Sequence, residues 1–137
     1  MTRRQKTWMY SPSKPASPKV PEQLKAETME KGHQLVESEL KPQNIHPPPK
    51  RARFNYLVDI STKWHQNFFY FCGTYRCPGP NALSPFFEMR FARFRYVGAN
   101  RFNLAYMRHT GKWWEIERGL SVDKCLAIIK EGGLFSP

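Results

Sequence analysis

The stretch that decides the fold is FEMRFARFRYVGANRFNLAYMRHTGKWWEI, residues 87–116. Apolar and polar residues alternate along it, the period of half-buried β-strands. Two turn signals divide it: Gly98-Ala99-Asn100, and Arg108-His109-Thr110-Gly111, where Gly111 can take a positive φ. The reading is an antiparallel meander over residues 86–117. In its first strand the alternation changes phase, because Phe87, Met89 and Phe91 share one parity and Ala92, Phe94 and Tyr96 the other. A β-bulge near residues 91–93 would keep all of these side chains on the core side. In the next strand Phe102, Leu104 and Tyr106 face inward, with Asn103 and Ala105 opposite. In the last, Trp114 and Ile116 point inward and Trp113, Glu115 and Glu117 outward.

Upstream, Phe54 to Ile60 alternates loosely, with Phe54, Tyr56, Val58 and Ile60 on one side. Phe68-Phe69-Tyr70-Phe71-Cys72 is apolar on both faces, as in a central strand or one covered by a helix. Turn chemistry at Cys77-Pro78-Gly79-Pro80-Asn81 and Ser84-Pro85 makes residues 76–85 a loop. A helix over about residues 21–40 opens at Pro21-Glu22 and is expected to stop at Pro42; Met29, Gly32/His33, Leu35, Val36 and Leu40 form its apolar stripe. Residues 42–53, PQNIHPPPKRAR, read as a proline-rich connection. At the other end Ser121 is an N-cap, Val122, Cys125, Leu126 and Ile129 repeat at helical spacing, and Gly132-Gly133 ends the helix. The fold class is therefore α+β: a sheet of about five antiparallel strands flanked by an N-terminal and a C-terminal helix.

Eighteen of the 20 aromatic residues lie between Phe54 and Phe135, so the core belongs to that part of the 137-residue chain. Residues 1–20 carry five cations, no acids and prolines at 12, 15 and 18, a composition that orders poorly. They are expected to be a basic flexible tail, although Trp8 and Tyr10 could dock, and residues 21–137 a single α+β domain. Net charge is +11, divided as +6 over residues 1–53 and +5 over the rest, so the folded part shares the excess that a polyanion-binding domain needs. No apolar run is long enough to span a membrane, and the start lacks the apolar segment of a secretory signal. Three cysteines, an odd number, fit a reducing compartment and a cytoplasmic protein.

The outward face of the meander holds Arg90, Arg93, Arg95, Arg101, Asn103 and Trp113, with Lys112 in the adjoining turn. Arginines offer planar charge-assisted donors to phosphates, and an exposed tryptophan offers a stacking platform. RNA or DNA is accordingly the leading partner, bound without catalysis. The plainer alternative is that the arginines cover their aromatic neighbours with their stems and solvate the outside. A protein partner or homo-oligomer would instead use an apolar patch containing Trp64, Trp113 or Trp8. A small enzyme would use His109 as proton shuttle with Arg108 and Glu115, yet no phosphate-binding glycine loop accompanies them. Cys72 and Cys77 with His65 and His109 have admissible zinc spacing, but Cys72 in an apolar strand and Cys125 on an apolar helix face read as packing. No metal or cofactor is expected.

The segments LKPQNIHPPPKRARFNYLVDISTKWHQNFFYF, CPGPNALSPFFEMRFARFRYVG and FNLAYMRHTGKWWEI, followed by GLSVDKCLAII, resemble small bacterial proteins of a domain family of unassigned function. The likeness spans about residues 22–137. It implies one compact unit that includes the first helix, in a bacterial cytoplasm, with NIHPPP inside the fold. It transfers no site residue.

Overall fold

The structure is a computed structural model that describes residues 17–137, so Trp8, Tyr10 and most of the expected tail lie outside the described residues. Five strands form one antiparallel sheet in chain order: β1 (Tyr56–His65), β2 (Phe68–Arg76), β3 (Phe86–Gly98), β4 (Arg101–Met107) and β5 (Trp113–Leu120). Helices cover one face. The first, α1 (Glu22–Leu35), runs through a π-helical turn (Val36–Leu40) into α2 (Lys41–Asn44), and α3 (Val122–Glu131) follows the sheet.

The core lies between helices and sheet and is largely aromatic. Phe69, Phe71, Phe94 and Phe102 are fully buried, with Ile60, Leu104, Val36 and Ile129 around them. Phe71 and Phe94 rings sit 5.4 Å apart and Phe94 and Phe102 rings 6.0 Å apart, within the range of favourable aromatic pairs. The bulge in β3 falls at Phe91: Phe71 pairs with Ala92 and Cys72 with Arg90. Both Phe91 and Ala92 thereby reach the core, and the change of phase costs no apolar burial.

The first helix departs from its expected form in two ways. It does not stop at Pro42 but continues to Asn44. The wide turn explains this: Lys41 N–H reaches back five residues to the Val36 carbonyl, and this looser ladder accommodates a ring with no N–H to give. The buried seam is Thr28, Gly32, Val36 and Leu40, while Met29 is exposed. Steps of four residues drift by about 40° each around an α-helix, and the π turn takes back part of that drift. Gly32 belongs to the seam because a Cβ there would stand 2.8 Å from Cζ of Phe69. Trp64 ties β1 to this helix, its indole N–H donating to the Lys25 carbonyl at 3.1 Å.

Two strand readings also change. Phe54 stands outside β1, exposed, and the strand runs on to His65; pairing skips Val58, which sends Leu57 to the core side. In β5 the register slips at Ile116, since Ala105 pairs with Glu115 but Leu104 with Glu117. Glu117 is thus brought to the helix side rather than outward. Trp114 and Ile116 stay 48% and 38% exposed, because β5 is an edge strand. The C-terminal helix forms as its sequence indicates: Ser121 Oγ accepts from Lys124 N–H at 3.3 Å, and Gly132 ends the helix at φ 83°.

Candidate functional site

Among the described residues no helix covers the second face of the sheet, yet several of its side chains are buried. Tyr70 is 5% exposed, Asn103 7%, and Cys72 and Ala105 are fully buried. Their cover is made of side chains from the same face. The Arg90 guanidinium lies over the Tyr70 ring at 4.2 Å. The Arg93 guanidinium lies over both Phe68, at 4.7 Å, and Trp113, at 4.8 Å. Register makes this roof: Tyr70 stands opposite Arg93, and Phe68 opposite Arg95, so the arginines of β3 fall between the aromatics of β2 and β5.

The charges on this face are treated unequally. Arg95 donates from Nε and from a terminal nitrogen to the two oxygens of Glu115, at 2.6 and 3.0 Å. Asn103 donates to the same carboxylate at 3.3 Å and accepts from Gly119 N–H at 3.0 Å. These bonds hold the Glu115 carboxyl below its ordinary pKa, with the Arg95 hydrogen bond the main cause. Lys63 pairs with Glu88 at 2.6 Å, which likewise lowers Glu88. Arg90 and Arg93 make no salt bridge among the described residues. Burial presses the pKa of Arg93 down, and its Nε is buried with no hydrogen-bond partner. A half-buried guanidinium without a carboxylate carries a desolvation cost that the flanking rings offset only in part.

Of the residues singled out from sequence, Arg90, Arg93, Arg95 and Trp113 share this face. Arg101 and Lys112 are exposed at opposite ends of the sheet, Arg101 opening β4 opposite Gly98 and Lys112 in the β4–β5 turn. His109 is exposed in that same turn. Arg108 stacks over Trp114 at 4.4 Å, on the opposite side of β5 from Glu115. Glu115 is committed to Arg95 and Asn103, so the structure does not bring the three residues of the enzyme reading together.

Phe68 and Tyr70 complete the face and were not among the sequence-selected residues. Their signal was present: β2 is apolar on both sides, and two helices can cover only one side of a five-stranded sheet. The thiols of Cys72 and Cys125 are pushed up to about 11 and about 12, mainly by burial. Among the described residues no group of three or more His, Cys, Asp or Glu is arranged to hold a metal ion, and no helix is long and apolar enough to cross a membrane. No curated protein and no solved structure matches the chain. The family described as Domain of unknown function (DUF3024) matches residues 20–137, a span that takes in both helices and every strand, and the chain belongs to it.

Proposed function

We propose that the protein binds nucleic acid, without catalysis, on the helix-free face of its sheet, as a cytoplasmic bacterial protein. The observation that supports this most directly is Arg93: a cation close over both Phe68 and Trp113, with no salt bridge among the described residues and a buried Nε that makes no hydrogen bond there. A phosphate above it would supply the missing anion with the planar geometry that guanidinium favours. Arg90 offers a second such position over Tyr70, and Trp113, half-buried, leaves area on which a base can stack. Arg95 acts indirectly here, because Glu115 already satisfies it. Arg101 and Lys112 extend the positive field past both ends of the face.

The test is fluorescence anisotropy with a labelled single-stranded oligonucleotide over a range of salt. Binding should weaken with salt at a slope of about −0.7 per phosphate contacted on a single strand. Arg93→Ala and Arg90→Ala should each weaken binding and make that slope shallower by about 0.7. Trp113→Ala should cost about 1–3 kcal/mol of binding. Salt-insensitive binding, or none at low salt, rejects the reading.

A further inference from the structure

β3 has a strand on both sides for only part of its length. β2 pairs with it from Phe86 to Arg95, whereas β4 joins only at Ala92, opposite Tyr106. From Phe87 to Phe91 the backbone groups that point away from β2 meet no strand among the described residues, and alternate residues aim both N–H and C=O into that gap. The gap is a concavity of about 560 Å³, closed at one end by the Arg108–Gly111 turn and bordered by Ser136 and Pro137. This size lies within the usual range of binding sites, roughly 300–1,000 Å³. Tyr75, Met89 and Phe91 give it an apolar floor, and Met89 is 49% exposed.

Its polar rim is mainly basic, with Arg90 and Arg108 in the lining. Arg108, lying over Trp114, makes no salt bridge among the described residues, and His109 is exposed beside it. Glu88, the one acidic side chain in the lining, is paired with Lys63 at 2.6 Å. An occupant must therefore satisfy a strand edge, an apolar floor and a cationic end together.

We propose that this notch takes an extended peptide segment of another protein as an added strand on β3, apolar at alternate positions and acidic at the others. The open edge, five residues at 87–91, spans about 17 Å at about 3.3 Å per residue, room for four or five peptide residues. Alternation follows from the pleat: every second side chain of the added strand drops toward Met89 and Phe91. The acidic requirement follows from Arg108 and His109, which have spare donors and no acidic partner among the described residues. The notch borders the helix-free face at Glu88 and Arg90, but Arg93 and Trp113 lie outside its lining, so peptide binding does not depend on them.

The test uses a fluorescein-labelled octapeptide of alternating valine and glutamate, titrated with the whole chain, beside the same peptide with lysine for glutamate. The glutamate peptide should bind at least about tenfold more tightly than the lysine one, since its charges complement the rim. Arg108→Ala should lose about tenfold in affinity, and Met89→Asp should abolish binding while the far-ultraviolet spectrum stays that of the parent. Amides within residues 87–91 should gain hydrogen-exchange protection on binding, and Arg93→Ala should leave peptide affinity unchanged. Equal affinity for both peptides overturns the proposal, as does no binding of either at about 1 mM. Binding without protection at 87–91, or a dimer in sedimentation that Met89→Asp dissociates, overturns it too, the latter because a second copy then fills the notch.

Discussion

Glu115 accepts three hydrogen bonds at once, from two neighbours on the helix-free face. It accepts from two nitrogens of Arg95 and from Asn103, and Asn103 in turn fixes Gly119 N–H. Removing the carboxylate strands the Arg95 and Asn103 donors. Glu115→Ala should therefore cost about 1–2 kcal/mol, less than a fully buried pair because Arg95 is partly open to water. The pH dependence follows from a depressed carboxyl. Its contribution is complete above the unfolded value near 4.5 and fades as pH falls through the lower folded value. Urea midpoints between pH 6 and pH 2 should then converge for the parent and Glu115→Ala; a constant gap across that range would show that the pair does not titrate with folding. Residue by residue, the site was partly legible beforehand. Parity placed Arg93, Arg95 and Trp113 together, but the Arg95–Glu115 pair and the placement of Arg93 over Phe68 and Trp113 depend on which residues lie opposite across strands, and no single strand carries that information.

At the scale of elements, strands and helix caps were read well where local rules act alone. The Phe91 bulge, the Gly98–Asn100 and Gly111 turns, the Ser121 cap and the Gly132 stop all follow from local backbone and side-chain preferences. The misses came where a neighbour decides. Pro42 continues a helix because the preceding turn is π-helical, and Glu117 changes face because Ile116 is skipped in the ladder. Gly32 belongs with these cases. In an isolated helix, replacing glycine by alanine gains about 1 kcal/mol. Here the new Cβ would stand 2.8 and 3.0 Å from ring carbons of Phe69, itself fully buried and in ring contact with Trp64, Phe71 and Phe94. Gly32→Ala should accordingly destabilise by about 1–2 kcal/mol, the usual result of overpacking, and a raised urea midpoint would disprove the tight seam.

For the whole molecule, one core joins the first helix, the sheet and the last helix. Lys31 reaches Asp123 at 2.8 Å and Lys130 reaches Glu39 at 3.5 Å, so the two helical ends of the described chain brace each other over the same sheet face. We expect residues 21–137 to unfold as one unit, with helical circular dichroism and tryptophan fluorescence losing their signals at a common urea midpoint. Two separate midpoints would detach the first helix from the domain. The chain-order sheet, in which each strand pairs only with its sequence neighbours, bears on how this unit is made. A growing polypeptide can zip each hairpin as soon as its second strand emerges, with little loop entropy to overcome. The Lys31–Asp123 contact spans 92 positions and cannot form until the last helix has been synthesised. Until then the apolar side of the sheet lacks part of its lid, and the interval between the fifth strand and the final helix is when a nascent chain is most open to aggregation.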